Sequence, residues 1–182
     1  VGNWVISFRK STILTKEFVF LGLTWNVEDQ SAKMQNDRID AIIAHREPRS
    51  VAELSSRLST INYYGSFIPC LKRIALPLYH VIKTGVFRWT RLESQSYGDL
   101  LFLIGLKIRN YIYDPAKPLI LLTDSSAVEG SAIVTQWDQK KLNLKIVSAK
   151  SMLYTTALRR QGPLHKESYS MQLALQIAHP YL

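Results

Sequence analysis

The spacing of the hydrophobic residues changes near Pro118, and this change restricts the chain to a fold that mixes helices and strands. Before Pro118, apolar residues recur every three or four positions in two stretches, which is the period of an amphipathic helix. They are Val51, Leu54, Leu58, Ile61 and Ile68 in the first stretch, and Tyr97, Leu100, Leu101, Ile104 and Ile108 in the second. After Pro118, the apolar run Leu119–Leu122 predicts a central strand that is buried on both faces. Segments 130–137 and 142–147 predict two further strands, so the fold class is α+β.

Capping residues and prolines mark the ends of the predicted helices. The pairs Ser50–Glu53 and Thr90–Glu93 each have the form of a capping box, in which side chains satisfy free backbone amides at a helix start. We expect Pro69 to end the first long helix. A shorter helix is predicted within Pro77–Gly85, and the final helix within Pro163–Pro180.

The amino-terminal part of the chain predicts strands. Phe18–Trp25 is rich in residues that favour β structure and predicts a strand. A polar turn at residues 26–31 is expected to follow it. Residues 32–35 are expected to return as its hairpin partner. Gly22 lies inside the predicted strand, where a glycine often marks the close approach of another backbone or of a ligand.

The chain is basic, and much of its charge lies in one stretch. It has 182 residues with 23 Lys and Arg against 14 Asp and Glu, a formal net charge of +9. Between Leu54 and Leu92 there is no acidic residue. The six basic residues of this stretch are Arg57, Lys72, Arg73, Lys83, Arg88 and Arg91. Such a concentration favours a polyanionic partner, and the alternative is a solvated helical face.

Composition excludes several classes of protein. A content of 47% hydrophobic and 20% charged residues excludes a disordered or low-complexity chain. A single cysteine, Cys70, excludes an internal disulfide framework. No apolar run reaches the roughly 18 residues of a membrane span, and residues 1–10 lack the layout of a signal peptide. We therefore expect an intracellular or packaged chain, without a membrane partner, that is cut from a longer protein.

Two carboxylates are candidate metal ligands. Asp124 ends the apolar strand, and Glu167 falls within the apolar stripe that Leu164, Met171, Ala174 and Ala178 form on the final helix. A carboxylate on a buried face costs several kcal/mol unless it is paired or binds a metal. Mg²⁺ prefers carboxylate oxygens, and two such ions can clamp a phosphodiester. We predict that Asp124 points toward the final helix and lies near Glu167. The alternative places Asp124 in a turn and Glu167 in water.

Several motifs in the first half of the chain resemble reverse transcriptases of long-terminal-repeat retroelements. Phe20-Leu21-Gly22 resembles the primer-grip hairpin of that family. The segment Leu54–Ile68, which contains Asn62-Tyr63-Tyr64, resembles the thumb motif of gypsy-like elements. Ile74–Leu78 and Phe87–Thr90 match further landmarks in the same order.

The second half resembles the start of the ribonuclease H domain that is fused to these enzymes. Thr123–Ser126, Gly130 and Gln136 match its opening, and Ser148 and Lys166-Glu167 match its next landmarks. The resemblance therefore covers almost the whole chain. It implies that the polymerase's paired catalytic aspartates lie before Val1 and the later ribonuclease H aspartates after Leu182, so that this chain completes neither active site.

The resemblance implies four parts within the α+β fold. Residues 1–47 would be the end of the palm with a primer-grip-like β-hairpin, and residues 48–92 the helical thumb. Residues 93–117 would form a connecting helix. Residues 118–182 would be the incomplete amino-terminal part of a ribonuclease H-like domain, with its first three antiparallel strands and its first helix.

The resemblance also implies roles for single residues. Asp124 and Glu167 would be the first two catalytic, metal-binding carboxylates, with Mg²⁺ as the cofactor of the complete parent protein. Ser55, Ser59 and Tyr63 would line one face of the thumb helix along the minor groove. The full set of residues implied to contact nucleic acid is Phe20, Leu21, Gly22, Ser55, Arg57, Ser59, Asn62, Tyr63, Lys72 and Arg73.

The implied function is that of a fragment of a retroelement Pol protein, an RNA-directed DNA polymerase with fused ribonuclease H. This segment would grip the template–primer duplex, either an RNA–DNA hybrid or duplex DNA, and would contact other parts of the Pol polyprotein. Its location would be the cytoplasm, a virus-like particle or the nucleus. Two alternatives remain open: a retroelement-derived, non-catalytic module that binds nucleic acid or protein, and a basic interaction module outside this family.

Overall fold

The computed structural model describes residues 14–182. The sequence expectations for residues 1–13, which include the start of the predicted palm end, lie outside the described residues. The strands are β1 (Glu17–Phe20), β2 (Leu23–Asn26), β3 (Ser31–Met34), β4 (Arg109–Tyr111), β5 (Leu119–Ser125), β6 (Glu129–Asp138) and β7 (Asn143–Leu153). The helices are α1 (Asn36–Ala44), α2 (Val51–Tyr63), α3 (Leu71–Ile74), α4 (Leu76–Thr84), α5 (Arg91–Gly105), α6 (Thr156–Arg159) and α7 (Pro163–Ala178).

The first sheet has four antiparallel strands in the order β1-β2-β3-β4. The segment Phe18–Trp25, which the sequence predicts as one strand, is two strands joined by a tight turn. The turn residues Leu21 and Gly22 have φ values of 50° and 73°, and positive φ at both positions is the geometry of tight hairpin turns. The turn was not predicted because Leu21 and Gly22 lie within a mostly apolar segment that lacks the usual polar turn residues. Strand β4 completes the sheet. It lies within residues 93–117, which the resemblance implied to be a connecting helix, because that helix, α5, ends at Gly105 and the chain then pairs with β3.

A helical core of α1 to α5 packs beside this sheet. Its largest fully buried side chains are Ile39, Leu54, Leu58, Ile61, Ile68, Leu78, Leu100 and Ile104. The hydroxyl of Ser50 accepts the backbone N–H of Glu53, and the capping box at Thr90 and Glu93 is complete, as the sequence predicts. Helix α2 ends at Tyr63 instead of continuing to Pro69, because a 3₁₀ turn follows it. Within residues 14–182, no helix is long and apolar enough to cross a membrane.

The second sheet is the three-strand antiparallel meander that the sequence predicts, in the order β5-β6-β7. The expectation of a central β5 is wrong, because β6 is the central strand and β5 lies at an edge of the sheet. Leu121 packs toward α7, whereas Leu122 is 42% exposed on the other face. The run of four apolar residues therefore does not mean burial on both faces.

Helix α7 covers one face of the second sheet with its small side chains. Ala174 and Ala178 are buried, as predicted, together with Ser170 and Leu173. The stripe predicted from the sequence is rotated, because Leu164 and Met171 are 73% and 60% exposed. A Cβ atom added at Gly130 of β6 would lie 2.5 Å from Ser170 Oγ. The close approach of helix and strand at this glycine favours small residues at the contact.

We predict that Gly130→Ala destabilises the second sheet. The added methyl would also lie 2.9 Å from the Tyr154 hydroxyl, and enlarging a residue in such a packed contact costs roughly 1–3 kcal/mol. Urea denaturation measures this loss. Gly98→Ala in α5 is the matched control, because a Cβ there meets no atom within 4 Å, and it should raise stability by up to ~1 kcal/mol. Equal stability of the two variants would contradict the packing described.

Candidate nucleic-acid interface and carboxylate cluster

The tip of the β1–β2 hairpin exposes a group of apolar side chains. Val19, Phe20 and Leu21 are 58%, 57% and 67% exposed. Tyr63, at the end of α2, is 61% exposed, and its hydroxyl donates a hydrogen bond of 2.8 Å to the carbonyl oxygen of Leu21. The structure therefore brings the predicted grip residues Phe20, Leu21 and Gly22 beside the predicted thumb residue Tyr63. Contiguous exposed apolar side chains are typical of a contact surface.

Ser55, Ser59 and Tyr63 share one side of α2, as the spacing of four predicts. Leu54 and Leu58 point to the core on the other side. The Ser59 hydroxyl donates to the backbone carbonyl of Ser55 at 2.9 Å, while its lone pairs remain available to a donor from outside. We call this surface, Ser55, Ser59 and Tyr63, the α2 face.

Arg57 is occupied inside the protein. Its side chain is 13% exposed, and its guanidinium donates to the Glu53 carboxylate, to the backbone carbonyl of Arg46 and to the Tyr97 hydroxyl. The backbone N–H of Arg49 and the Arg57 charge lower the pKa of Glu53, with the backbone bond contributing most. The nucleic-acid contact predicted for Arg57 stays a prediction, and the geometry gives this residue a structural role.

Lys72 and Asn62, two further predicted contact residues, come together in a hydrogen-bond network. The Lys72 ammonium donates to Asn62 Oδ1 at 2.9 Å and to the Tyr79 hydroxyl at 2.8 Å. That hydroxyl donates to the same Asn62 oxygen at 2.6 Å. The network ties α2, α3 and α4 together, so these side chains help to hold the helical core in shape.

Arg73 connects α3 to two carboxylates of the second sheet. Its Nη1 lies 3.4 Å from Asp124 Oδ2, and its Nε lies 3.8 Å from Glu129 Oε1. Asp124 pairs with Ser131 in the sheet and lies on the face opposite Leu121, because side chains alternate along a strand. The carboxylate of Asp124 thus meets α3, and its expected approach to α7 stays a prediction.

Glu167 is exposed near the start of α7. One tyrosine joins its surroundings to those of Asp124: the Tyr154 hydroxyl lies 2.9 Å from Ser125 Oγ and 3.3 Å from the carbonyl oxygen of Lys166. The backbone neighbours of the two acids are therefore close. Residues 14–182 contain no cluster of three or more His, Cys, Asp or Glu side chains that could hold a metal. The pairing of Asp124 with Glu167 stays a prediction.

Glu129 is a candidate functional residue that sequence analysis missed. It is 1% exposed, and neither of its carboxylate oxygens has a hydrogen-bond partner among the described residues. Burial raises the pKa of Glu129 to about 7, although the Arg73 charge opposes this shift, and the nearby charge of Asp124 adds to it. In the sequence, an acid just after a turn gives no sign of burial.

We predict that Glu129 makes the folded chain less stable as the pH rises. Its pKa is about 7 in the folded chain against an ordinary value of 4.5, so the unfolded chain releases this proton at lower pH. Stability therefore falls as the pH rises through this window and levels off above it. In Glu129→Gln this component is absent. At ~1.4 kcal/mol per pKa unit, the change in unfolding free energy between about pH 5 and about pH 8 should shift by about 1–3 kcal/mol.

Urea denaturation at each pH measures this effect. Glu47→Gln, at an exposed glutamate, is the control and should keep the wild-type pH dependence. If Glu129→Gln also keeps it, the carboxyl of Glu129 does not titrate in this window and the description of its burial is wrong.

No family model matches the chain. The Tf2-3 and Tf2-4 transposon polyproteins of Schizosaccharomyces pombe are each 24% identical to it over 136 residues, which is 74% of this chain and 10% of the polyprotein. The chain therefore spans about a tenth of the length of these relatives.

Two solved structures of the foamy viral protease-reverse transcriptase share the fold. The one in complex with an RNA/DNA hybrid matches with a TM-score of 0.80 and 24% identity, over 96% of this chain and 24% of that chain. The one in complex with double-stranded DNA matches with a TM-score of 0.78 and 24% identity, over 95% of this chain and 36% of that chain. The α+β class is thus confirmed, and the chain is homologous to a segment of retrotransposon polyproteins and folds like the foamy viral protease-reverse transcriptase.

Proposed function

We propose that this chain is a segment of a retroelement Pol protein that grips a nucleic-acid duplex with the hairpin tip and the α2 face. The observation that carries the proposal is the meeting of the exposed tip residues with Tyr63 at the end of α2. The foamy viral proteins that share this fold were solved with an RNA/DNA hybrid and with double-stranded DNA. The proposed partner is therefore a duplex of either kind, in the cytoplasm, a virus-like particle or the nucleus.

The charge of the chain supports a polyanionic partner. A net charge of +9 attracts the phosphate backbone without regard to sequence. Because Arg57 and Lys72 are held inside, the proposal assigns the phosphate contacts of the acid-free stretch to its exposed cations. These are Arg73, Lys83, Arg88 and Arg91.

We predict that duplex binding falls steeply with salt and weakens in Ser59→Glu. Each phosphate contact on duplex DNA contributes a slope of about −0.9 to log affinity against log salt concentration. The added negative charge would lie in the middle of the α2 face, and we expect about tenfold weaker binding at low salt. Fluorescence anisotropy with a labelled hybrid and a labelled DNA duplex measures both effects.

Gln176→Glu is the matched control for this prediction. It makes the same change of charge at an exposed position of α7, away from the α2 face and from the four cations named above, and should weaken binding by less than about twofold. Equal losses in the two variants would show that only net charge matters and that the α2 face is not the contact. Affinity that does not depend on salt would contradict phosphate binding altogether.

We also propose Asp124 and Glu167 as the first two metal-binding carboxylates of a ribonuclease H-like site. Both side chains are exposed, so hydrated Mg²⁺ can reach them. The Asp124 carboxylate already accepts the backbone N–H of Ser125 and the Arg73 guanidinium. Residues 14–182 contain no group of three or more His, Cys, Asp or Glu side chains that could hold a metal, so they do not fit a complete two-ion site. Mg²⁺ is therefore proposed as a cofactor of the whole polyprotein only.

We predict that the isolated chain does not cleave an RNA–DNA hybrid. A two-ion clamp needs more oxygen ligands than two carboxylates supply. The measurement is cleavage of a labelled hybrid with Mg²⁺ and with Mn²⁺, with Asp124→Asn as the control for a contaminating nuclease. Robust cleavage that Asp124→Asn abolishes would contradict this prediction. Duplex binding without cleavage is also the behaviour of a non-catalytic, retroelement-derived module, which the surface described here supports equally.

A further inference from the structure

The turn at the hairpin tip has a backbone conformation that its sequence does not favour. Leu21 has a φ of 50° and Gly22 a φ of 73°. Glycine adopts this left-handed region easily, whereas a leucine crowds its own backbone there. Leu21 is 67% exposed, so packing of its own side chain does not hold it in place. Another group must stabilise the turn.

Two consecutive tyrosines at the end of α2 contact the two turn residues. Tyr63 donates its hydroxyl to the carbonyl oxygen of Leu21 at 2.8 Å, across 42 residues of sequence. Tyr64 is 5% exposed, and its hydroxyl would lie 3.0 Å from a Cβ atom at Gly22. The two rings meet edge to face with their centroids 4.9 Å apart. The buried ring of Tyr64 thus fixes the direction from which Tyr63 reaches the turn.

We propose that Tyr63 is a positioning residue, which holds the Leu21–Gly22 turn so that the apolar tip stands at a fixed place beside the α2 face. Its effect on a duplex acts through Leu21, in addition to any contact of its own ring. The assignment rests on the proposed grip of a nucleic-acid duplex. It also implies that the hairpin tip and the end of α2 move as one body, because the hydrogen bond spans the gap between them.

The first test needs no nucleic acid. Tyr63→Phe removes the hydroxyl and keeps the ring against Tyr64. Amide hydrogen exchange in the β1–β2 hairpin should become about 3- to 10-fold faster. This factor corresponds to the free energy that one hydrogen bond usually contributes to local stability. The melting temperature should stay close to that of the wild type, since Tyr63 is exposed. Tyr181→Phe, in a ring that packs on Tyr113, is the matched control and should leave exchange in the hairpin unchanged.

The second test is a double-mutant cycle in duplex affinity. Tyr63→Phe alone should weaken binding about 3- to 10-fold. Leu21→Gly lets the turn adopt positive φ without help, so in that background Tyr63→Phe should cost less than about twofold. If the Tyr63 hydroxyl stabilised only α2, its removal would cost the same affinity with either residue at position 21, which lies 42 positions away in the sequence.

The outcomes separate the two proposals. Additive losses in the cycle would mean that Tyr63 contacts the duplex directly, and they would overturn the positioning role. Unchanged hydrogen exchange in Tyr63→Phe would overturn it as well. Faster exchange together with no duplex binding by the wild-type chain would establish that Tyr63 holds the turn, and it would overturn the grip that this turn is proposed to serve.

Discussion

The docking of α3 on the second sheet sets the distance between the two surfaces to which function is assigned. The backbone N–H of Lys72 donates to Ser151 Oγ at 2.9 Å, and the next residue, Arg73, reaches the carboxylates of Asp124 and Glu129. The α2 face belongs to the helical core, and the carboxylates belong to the sheet. Because α3 joins them, a shift of this short helix would change the path of any duplex that contacts both.

The acid-free stretch from Leu54 to Leu92 has two kinds of cations. Arg57 and Lys72 already donate to several oxygens inside the protein, so a phosphate would have to compete with bonds that are in place. Arg73 is 47% exposed and holds its acids at longer distances of 3.4 Å and 3.8 Å. Charge counted along the sequence therefore overstates the number of cations that a polyanion can reach.

The contact between α3 and the second sheet buries the carboxylate of Glu129, which lowers the stability of the folded chain. A buried carboxylate without hydrogen bonds destabilises the folded state, and the single ion pair with Arg73 offsets only part of that. Such costly groups concentrate at functional sites, and this one shares its arginine with Asp124, the proposed metal ligand. The charges of Arg73, Asp124 and Glu129 therefore affect both the stability of the fold and the proposed metal site.

Much of this molecule was predictable from local sequence. The helix starts at Ser50 and Thr90, the meander after Pro118 and the exposed side of α2 follow from capping chemistry and from the period of the apolar residues. The order of the short motifs also predicted the fold that the foamy viral structures share. Each of these features is decided by residues that lie near one another in the chain.

The tertiary structure alone decided the edge position of β5, the rotation of α7, the burial of Glu129 and the partners of Arg57. It also decided that Tyr63 meets the turn at Leu21. A hydrophobic period records how much of an element is buried on average, but it does not say which element covers it. Strand pairing, the approach of a helix at Gly130 and the burial of a charge all depend on partners far away in sequence, so they are settled only when the chain is folded.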